Sequence, residues 1–148
     1  MVLGLVLAVL VVGFFWPWVR VWIRMIFMRW ESRAVVRVSE EGGVFVVTVS
    51  GELDFDEEDL LEASWGEADE RWLPVTAVDL SAVTFAGSAA LGALLDARDR
   101  HRRGGRAFCL VGPLTGAVRL LFDRSGTLCR FTFASSLQQV IDQATPAA

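Results

Sequence analysis

The chain has 148 residues, which is room for one domain of ordinary size. Its net charge of −4 argues against nucleic acid as the main partner, because phosphate binding needs a basic surface. Hydrophobic residues make up 53% of the chain, and the excess over an ordinary soluble domain lies in the first thirty residues. The sequence therefore divides into an apolar segment over residues 1–30 and a globular part from residue 34.

The apolar segment has the features of a membrane anchor. Residues 1–19 carry no charged side chain, and a run of this length crosses a bilayer as one helix. Aromatic side chains close the run, and basic residues follow it at Arg20, Arg24, Arg29 and Arg33. This order predicts an apolar helix that tethers the chain through residues 1–24 and keeps the rest in the cytoplasm. The alternative is that translation starts at Met25 or Met28, which leaves an untethered cytoplasmic protein.

The globular part opens with a predicted β-hairpin. Ala34–Val38 and Val44–Val49 are β-branched runs, and Glu40–Gly43 supplies the turn between them. A helix is predicted over Asp54–Arg71, since carboxylates gather in its first turn, and Pro74 closes it.

Strands and helices alternate along the rest of the chain. The remaining predicted elements are a strand at Val75–Leu80, a helix from Ser88 to Gly104-Gly105, a strand at Arg106–Val111, a helix from Pro113 to Gly126, a short strand at Phe131–Phe133, and a helix from Ser135 or Ser136 to about Gln143. This order implies an α/β fold with a mixed sheet flanked by about four helices. Right-handed crossovers place the loop after the central strand, with Ser88, at the sheet edge where sites tend to form.

Few residues carry recognisable site chemistry. Cys109 and Cys129 lie twenty residues apart among apolar neighbours, so we expect two buried, reduced thiols and neither a disulfide nor a zinc site. His101 is the single histidine and has no metal-ligating or catalytic neighbours in the sequence. No phosphate-binding glycine loop or nucleophile elbow is present. We therefore predict no catalytic residue, no metal, no cofactor and no enzyme activity.

The stretch Val78–Leu95, VDLSAVTFAGSAALGALL, resembles the signature of STAS domains, the family of bacterial anti-sigma-factor antagonists. In that family a strand ending Asp-Leu-Ser is followed by a Phe and then by Asp-Ser-Ser/Thr-Gly-Leu at a helix start. Gly51–Asp54 is similar to the family's Gly-x-Leu-Asp, and Gly105 and Val118–Phe122 also fit. The resemblance covers about residues 34–143, which leaves 144–148 as a tail.

The resemblance implies a phosphorylation site. In the family, the first Ser of the motif is phosphorylated by a partner that is both anti-sigma factor and serine kinase, and that position is Ser88 here. A serine at a helix start suits this role, because the helix dipole and free amides tolerate the new charge. The chain departs from the motif at Gly87, Ala89 and Ala90, where the family has Asp, Ser/Thr and Gly. The alternative is that Ser88 only caps the helix.

Two charged groups are candidate contact surfaces. Ten carboxylates fall between Glu52 and Glu70, and they form either an acidic docking face or a solvated helix. The predicted partner-binding residues are Glu52, Asp54, Asp56, Gly87, Ser88, Ala89 and Leu91. Basic residues cluster near the end of the second helix, and we interpret them as a solvated helix terminus, with contact to anionic lipid as the alternative. They are Arg98, Arg100, His101, Arg102, Arg103 and Arg106.

Two functions are implied by the resemblance. The first is an anti-sigma factor antagonist that binds an anti-sigma kinase, releases a sigma factor and is switched by phosphorylation of Ser88. The alternative is a membrane-tethered scaffold or transporter-associated STAS module without a phosphorylation cycle. A nucleotide-binding STAS domain is a third possibility, which rests on family analogy alone.

Overall fold

A computed structural model describes residues 33–54 and 57–145. The predicted membrane anchor, Asp56 and residues 146–148 of the predicted tail lie outside the described residues. Within the described ranges, no helix is both long enough and apolar enough to cross a membrane.

Five strands form one mixed sheet, in the spatial order β1-β2-β3-β4-β5. They are β1 (Ala34–Glu41), β2 (Val44–Leu53), β3 (Val75–Ala86), β4 (Ala107–Val111) and β5 (Thr132–Ala134). The strands β1 and β2 are antiparallel, and every later neighbour is parallel. The β1–β2 turn consists of two glycines, Gly42 and Gly43, at φ values of 57° and 79°. The predicted hairpin is therefore confirmed.

Four helices cover the two faces of the sheet. They are α1 (Glu58–Arg71), α2 (Ser88–Arg103), α3 (Gly116–Ser125) and α4 (Leu137–Ala144), with a 3-10 turn at Leu128–Arg130 before β5. The larger core lies on the face that carries α1, α2 and α3, and it includes Trp65, Leu94 and Phe122. The smaller core lies under α4, around Val140. The predicted class, a mixed sheet with four helices, is confirmed for the described residues.

Some predicted boundaries were wrong. The central strand β3 does not end at Leu80 but continues to Ala86, because β2 hydrogen-bonds to it along that whole length. The helix expected from Pro113 begins at Gly116, because Thr115 is extended and occupies the N-cap position. The last helix is capped by the Ser136 hydroxyl, which accepts a hydrogen bond from the Gln139 amide. Of the two predicted starts, Ser135 and Ser136, the second is therefore confirmed.

The cysteines differ in environment. Cys109 is buried in β4, and burial raises the pKa of its thiol to about 11, so it stays protonated. Cys129, in the 3-10 turn, is exposed, which contradicts the expectation of two buried thiols.

The expected solvated basic cluster is also only partly solvated. Arg106 is buried: its guanidinium donates to the Ala68 carbonyl at 3.1 Å, pairs with Asp69 and lies 4.1 Å from the centre of the Trp72 ring. This arrangement ties the end of α1 to the start of β4. A buried arginine is stable only when its charge is paired, which Asp69 ensures.

His101 belongs to the core and not to a surface. Its Nδ1 lies 2.7 Å from the Ala97 carbonyl, and its Nε2 lies 2.8 Å from the Thr76 hydroxyl. A carbonyl can only accept, so Nδ1 carries the proton and Nε2 accepts from the threonine hydroxyl. Burial is the main cause that lowers the pKa of His101 below its ordinary value, so the folded protein holds the ring neutral.

Gly51 allows three strands to meet. It lies opposite Ala34 of β1 and Val83 of β3, at a φ of 91° and beside a register shift in the β2–β3 ladder. A Cβ at this position would lie 2.2 Å from the Arg33 carbonyl oxygen, a backbone atom that cannot move alone. Any other residue would therefore push β1 away from β2.

We predict that Gly51→Ala lowers the free energy of unfolding by about 3 kcal/mol or more, because backbone strain adds to a steric clash. Gly43→Ala is the matched control: its φ is also positive, but nothing lies within 4 Å of the new Cβ. It should cost only about 1–2 kcal/mol. Urea unfolding followed by circular dichroism measures both, and equal losses would show that the clash is absent.

Stability should also fall as the pH decreases below about 6.5. The pKa of His101 is lower in the folded protein than in the unfolded chain, so the unfolded chain binds a proton first as the pH falls. The free energy of unfolding therefore has its full value only above the pKa of His101 in the unfolded chain. Between pH 6.5 and 5.5, the free energy of unfolding should fall by at most about 1.4 kcal/mol per pH unit, the slope for uptake of one proton. Because His101 is the single histidine, a His101→Gln variant should lose this slope in urea titrations. An unchanged slope would contradict the assignment.

Candidate functional site

The ends of β2 and β3 bring two predicted site loops together. In the parallel ladder, Leu53 lies opposite Ala86, so both strands end at the same edge of the sheet. The Gly87 amide then donates to the Leu53 carbonyl at 2.8 Å, which joins the two chain segments just beyond the strands. Asp54 directly follows Leu53, and Ser88 directly follows Gly87. The two residues therefore lie close together, as the sequence predicted.

Gly87 leaves room for the Asp54 side chain. A Cβ at Gly87 would lie 3.1 Å from Asp54 Oδ1, tighter than most real contacts. The absence of a side chain at residue 87 thus lets the carboxylate lie close against the backbone that enters α2. Asp54 itself is exposed.

Ser88 is the first residue of α2 and not its cap. Gly87 occupies the N-cap position with φ −88° and ψ 175°, and no side chain caps this helix. The alternative interpretation, that Ser88 only caps the helix, is therefore wrong. The first amide bonded at this end of the helix is that of Leu91, to the Gly87 carbonyl at 3.2 Å. Ser88 is exposed, and the amides of the first turn that precede Leu91 have no carbonyl partner within the helix.

Glu57 organises this edge and was missed in the sequence analysis. It is only 3% exposed, and its carboxylate accepts from the Arg33 amide and from the Asp54 amide, both at 3.0 Å. The Glu57 amide in turn donates to the Asp54 carbonyl at 3.2 Å. Acid-x-x-Glu at Asp54 and Glu57 is the spacing of a capping box, and that signal could have found the residue.

The other predicted partner-binding residues differ in how far they are exposed. Glu52 is half-buried and forms an ion pair with Arg33 at 3.1 Å. Ala89 is half-buried, whereas Leu91 is 7% exposed and packs in the larger core. The structure therefore does not bring the Leu91 side chain to the surface.

An apolar side chain completes the exposed edge. Phe85, which lies opposite Glu52 in the β2–β3 register, is 46% exposed. Next to it, the Thr84 hydroxyl donates to the Gly51 carbonyl at 3.3 Å. We define the Ser88 surface as Glu52, Asp54, Phe85, Gly87 and Ser88. It combines acidic, apolar and hydroxyl groups, a composition suited to protein contacts and offering no set of metal ligands.

Metal chemistry has no candidate centre among the described residues. Nowhere in residues 33–54 and 57–145 do three His, Cys, Asp or Glu side chains form a group that could hold an ion.

Comparisons with known proteins agree with this architecture. The STAS domain profile matches residues 35–140, so the chain belongs to the STAS domain family. The structure is similar to an anti-sigma factor antagonist from Mycobacterium paratuberculosis, with 28% identity, a TM-score of 0.67 and coverage of 75% of this chain and 93% of that one. No curated protein matches the chain at a significant level.

Two more solved structures share the fold at lower identity. One is the Bacillus cell fate determinant SpoIIAA in its phosphorylated form, at 18% identity and a TM-score of 0.59, covering 75% of this chain and all of that one (100%). The other is an anti-sigma-factor antagonist (STAS) domain protein from Planctomyces limnophilus, at 17% identity and a TM-score of 0.60, covering 74% and 97%. At these identities the likeness concerns the fold alone.

We predict that Glu57→Ala lowers the free energy of unfolding by about 2–3 kcal/mol, because two amides in partly buried hydrogen bonds lose a charged acceptor. Glu57→Gln should lose less, since its amide oxygen still accepts one of the two bonds. Glu58→Gln, the adjacent change on a half-buried carboxylate, should stay within about 0.5 kcal/mol of the wild type. Chemical unfolding of the three variants tests this order, and an Ala variant as stable as the Glu58 control would rule out the bridging role.

Proposed function

We propose that this protein is an anti-sigma factor antagonist that binds an anti-sigma factor with serine kinase activity through the Ser88 surface. The observation that carries the proposal is the exposed Ser88 hydroxyl at the first position of α2, beside the acidic loop of Asp54. Membership of the STAS family and the similarity to the Mycobacterium paratuberculosis antagonist support it.

Phosphorylation of Ser88 would act on the surface and leave the fold intact. The hydroxyl makes no capping bond, so modifying it breaks no described contact of the folded domain. Unpaired amides and the positive end of the α2 dipole offset the charge of roughly −1.5 to −2 that a phosphate adds. The similar fold of SpoIIAA has been solved in a phosphorylated form, which is consistent with a STAS domain that stays folded.

The same phosphate would change the charge of the Ser88 surface that a partner contacts. Asp54 and Glu52 already make the Ser88 surface acidic, and the new charge would be added to a surface that also exposes the apolar Phe85 side chain. A partner that buries Phe85 and approaches the carboxylates with basic groups would have to desolvate the phosphate. Phosphorylation is therefore expected to weaken the complex.

The departures from the family motif do not disturb the helix. Ala90 is 2% exposed and packs in the core, where alanine favours the helix more than the family's glycine does. Ala89 removes a hydroxyl, and Gly87 removes a carboxylate that would have adjoined Asp54. These changes alter the groups that a kinase reads and leave the hydroxyl of Ser88 in place.

We predict that Ser88→Glu weakens binding to the cell's own anti-sigma kinase at least tenfold, while Ser88→Ala binds well but incorporates no phosphate from ATP. Gln138→Glu is the matched control, because it adds the same charge to the first turn of α4, on the opposite face of the sheet. Its affinity should equal that of the wild type. Calorimetric titration and radiolabelled phosphate transfer measure both effects.

Two results would overturn parts of the proposal. If Ser88→Glu bound as tightly as the wild type, the switch would be refuted, and constitutive binding as a STAS scaffold would be favoured. If phosphate appeared on the Ser88→Ala variant, the modified residue would lie elsewhere in the chain.

A further inference from the structure

Among the described residues, β1 is the longer of the two strands at the edges of the sheet. The strand has eight residues and pairs only with β2 in the described part of the chain, whereas β5, at the other edge, has three. An unpaired strand edge presents amides and carbonyls that another strand can bond. Residues 37–41 of β1 lie opposite residues 44–48 of β2, whereas the Ser88 surface begins at Glu52, at the other end of this strand pair, so an interaction at residues 37–41 is separate from the proposed function.

Alternate residues of β1 direct their backbone amides and carbonyls away from β2. The Glu52 amide donates to the Arg33 carbonyl, and bonded pairs alternate along an antiparallel ladder. Residues 35, 37, 39 and 41 therefore bond to β2, while Val38 and Glu40 direct their amides and carbonyls outward. A second strand can bond at those two residues.

The side chains of β1 select one partner register. Arg37, Ser39 and Glu41 point to the same face, all three are exposed, and no described ion pair involves the two charged ones. When two β1 strands pair antiparallel with Ser39 opposite Ser39, each Arg37 lies opposite the Glu41 of the other strand. Opposite charges in such cross-strand positions stabilise a pair.

Neighbouring registers lack this match. A shift by one step in one direction places Arg37 opposite Ser39 and leaves Glu41 without a cation. The shift in the other direction places Glu40 opposite Glu40, which repels. The sequence of β1 is thus complementary to itself in one register only.

We propose that the β1 edge binds the β1 edge of a second copy of this chain, antiparallel, with Ser39 on the two-fold axis and two Arg37–Glu41 pairs. Val38 of each copy exchanges main-chain hydrogen bonds with Glu40 of the other, which extends the sheet across the dimer. The contact is short, so the dimer is weak and exchanges subunits rapidly.

Disulfide trapping tests the register directly. Ser39 opposite Ser39 would be a non-hydrogen-bonded pair with Cα atoms about 4.5 Å apart, close enough for a disulfide. Full-length Ser39→Cys protein, in a Cys129→Ser background and mild detergent, should therefore form covalent dimers under mild oxidation. Arg37→Cys is the control: its own copy would lie about 13 Å away, so cross-linking should be at least tenfold lower.

Charge exchange tests the complementarity. Added to the Ser39→Cys protein, Arg37→Glu or Glu41→Arg should each reduce self-cross-linking, because like charges then face each other. The double variant should restore it, and a mixture of the two single variants should cross-link as a heterodimer. Equal cross-linking by Ser39→Cys and Arg37→Cys, or no effect of the charge changes, would overturn the proposal.

Discussion

The parallel ladder between β2 and β3 determines where the Ser88 surface lies. Its last matched pair, Leu53 and Ala86, sets the two chain segments side by side, and the bond from Gly87 to Leu53 carries that register past the strands. Asp54 and Ser88 come directly after these residues, so they have no freedom to separate. A slip of one residue would turn their side chains to other faces.

Small and buried residues make that register possible. Gly51 admits the Arg33 carbonyl, Gly87 admits the Asp54 carboxylate, and Glu57 satisfies the amides of both flanking segments. Gly51 and Glu57 lie outside the positions at which the chain departs from the STAS motif, whereas Gly87 is one of those positions. The Ser88 hydroxyl makes no capping bond at the start of α2, so the exposed group at this position can change without disturbing the register of β2 and β3.

The sequence predicted the succession of elements well, because hydrophobic periodicity and glycine positions are local signals. It failed where a distant partner decided the outcome. The strand β3 extends to Ala86 because β2 continues beside it, and Arg106 is buried because Asp69 and Trp72 of another segment cover it. Ser88 proved not to be the cap, since Gly87 takes that position when it bonds across to Leu53.

By itself, the sequence determined the α/β class, the hairpin, the family likeness and the prominence of Ser88 and Asp54. These properties follow from residue type and spacing within short stretches of the sequence. Only the tertiary structure decided that Ser88 is uncapped, that Leu91 is buried, that Glu57 bridges two segments and that Phe85 is exposed. The contacts that decide these properties join distant segments, as in the bonds from Arg33 to Glu57 and from Gly87 to Leu53, and the local Asp54-x-x-Glu57 spacing signals only one of the two bonds that Glu57 accepts.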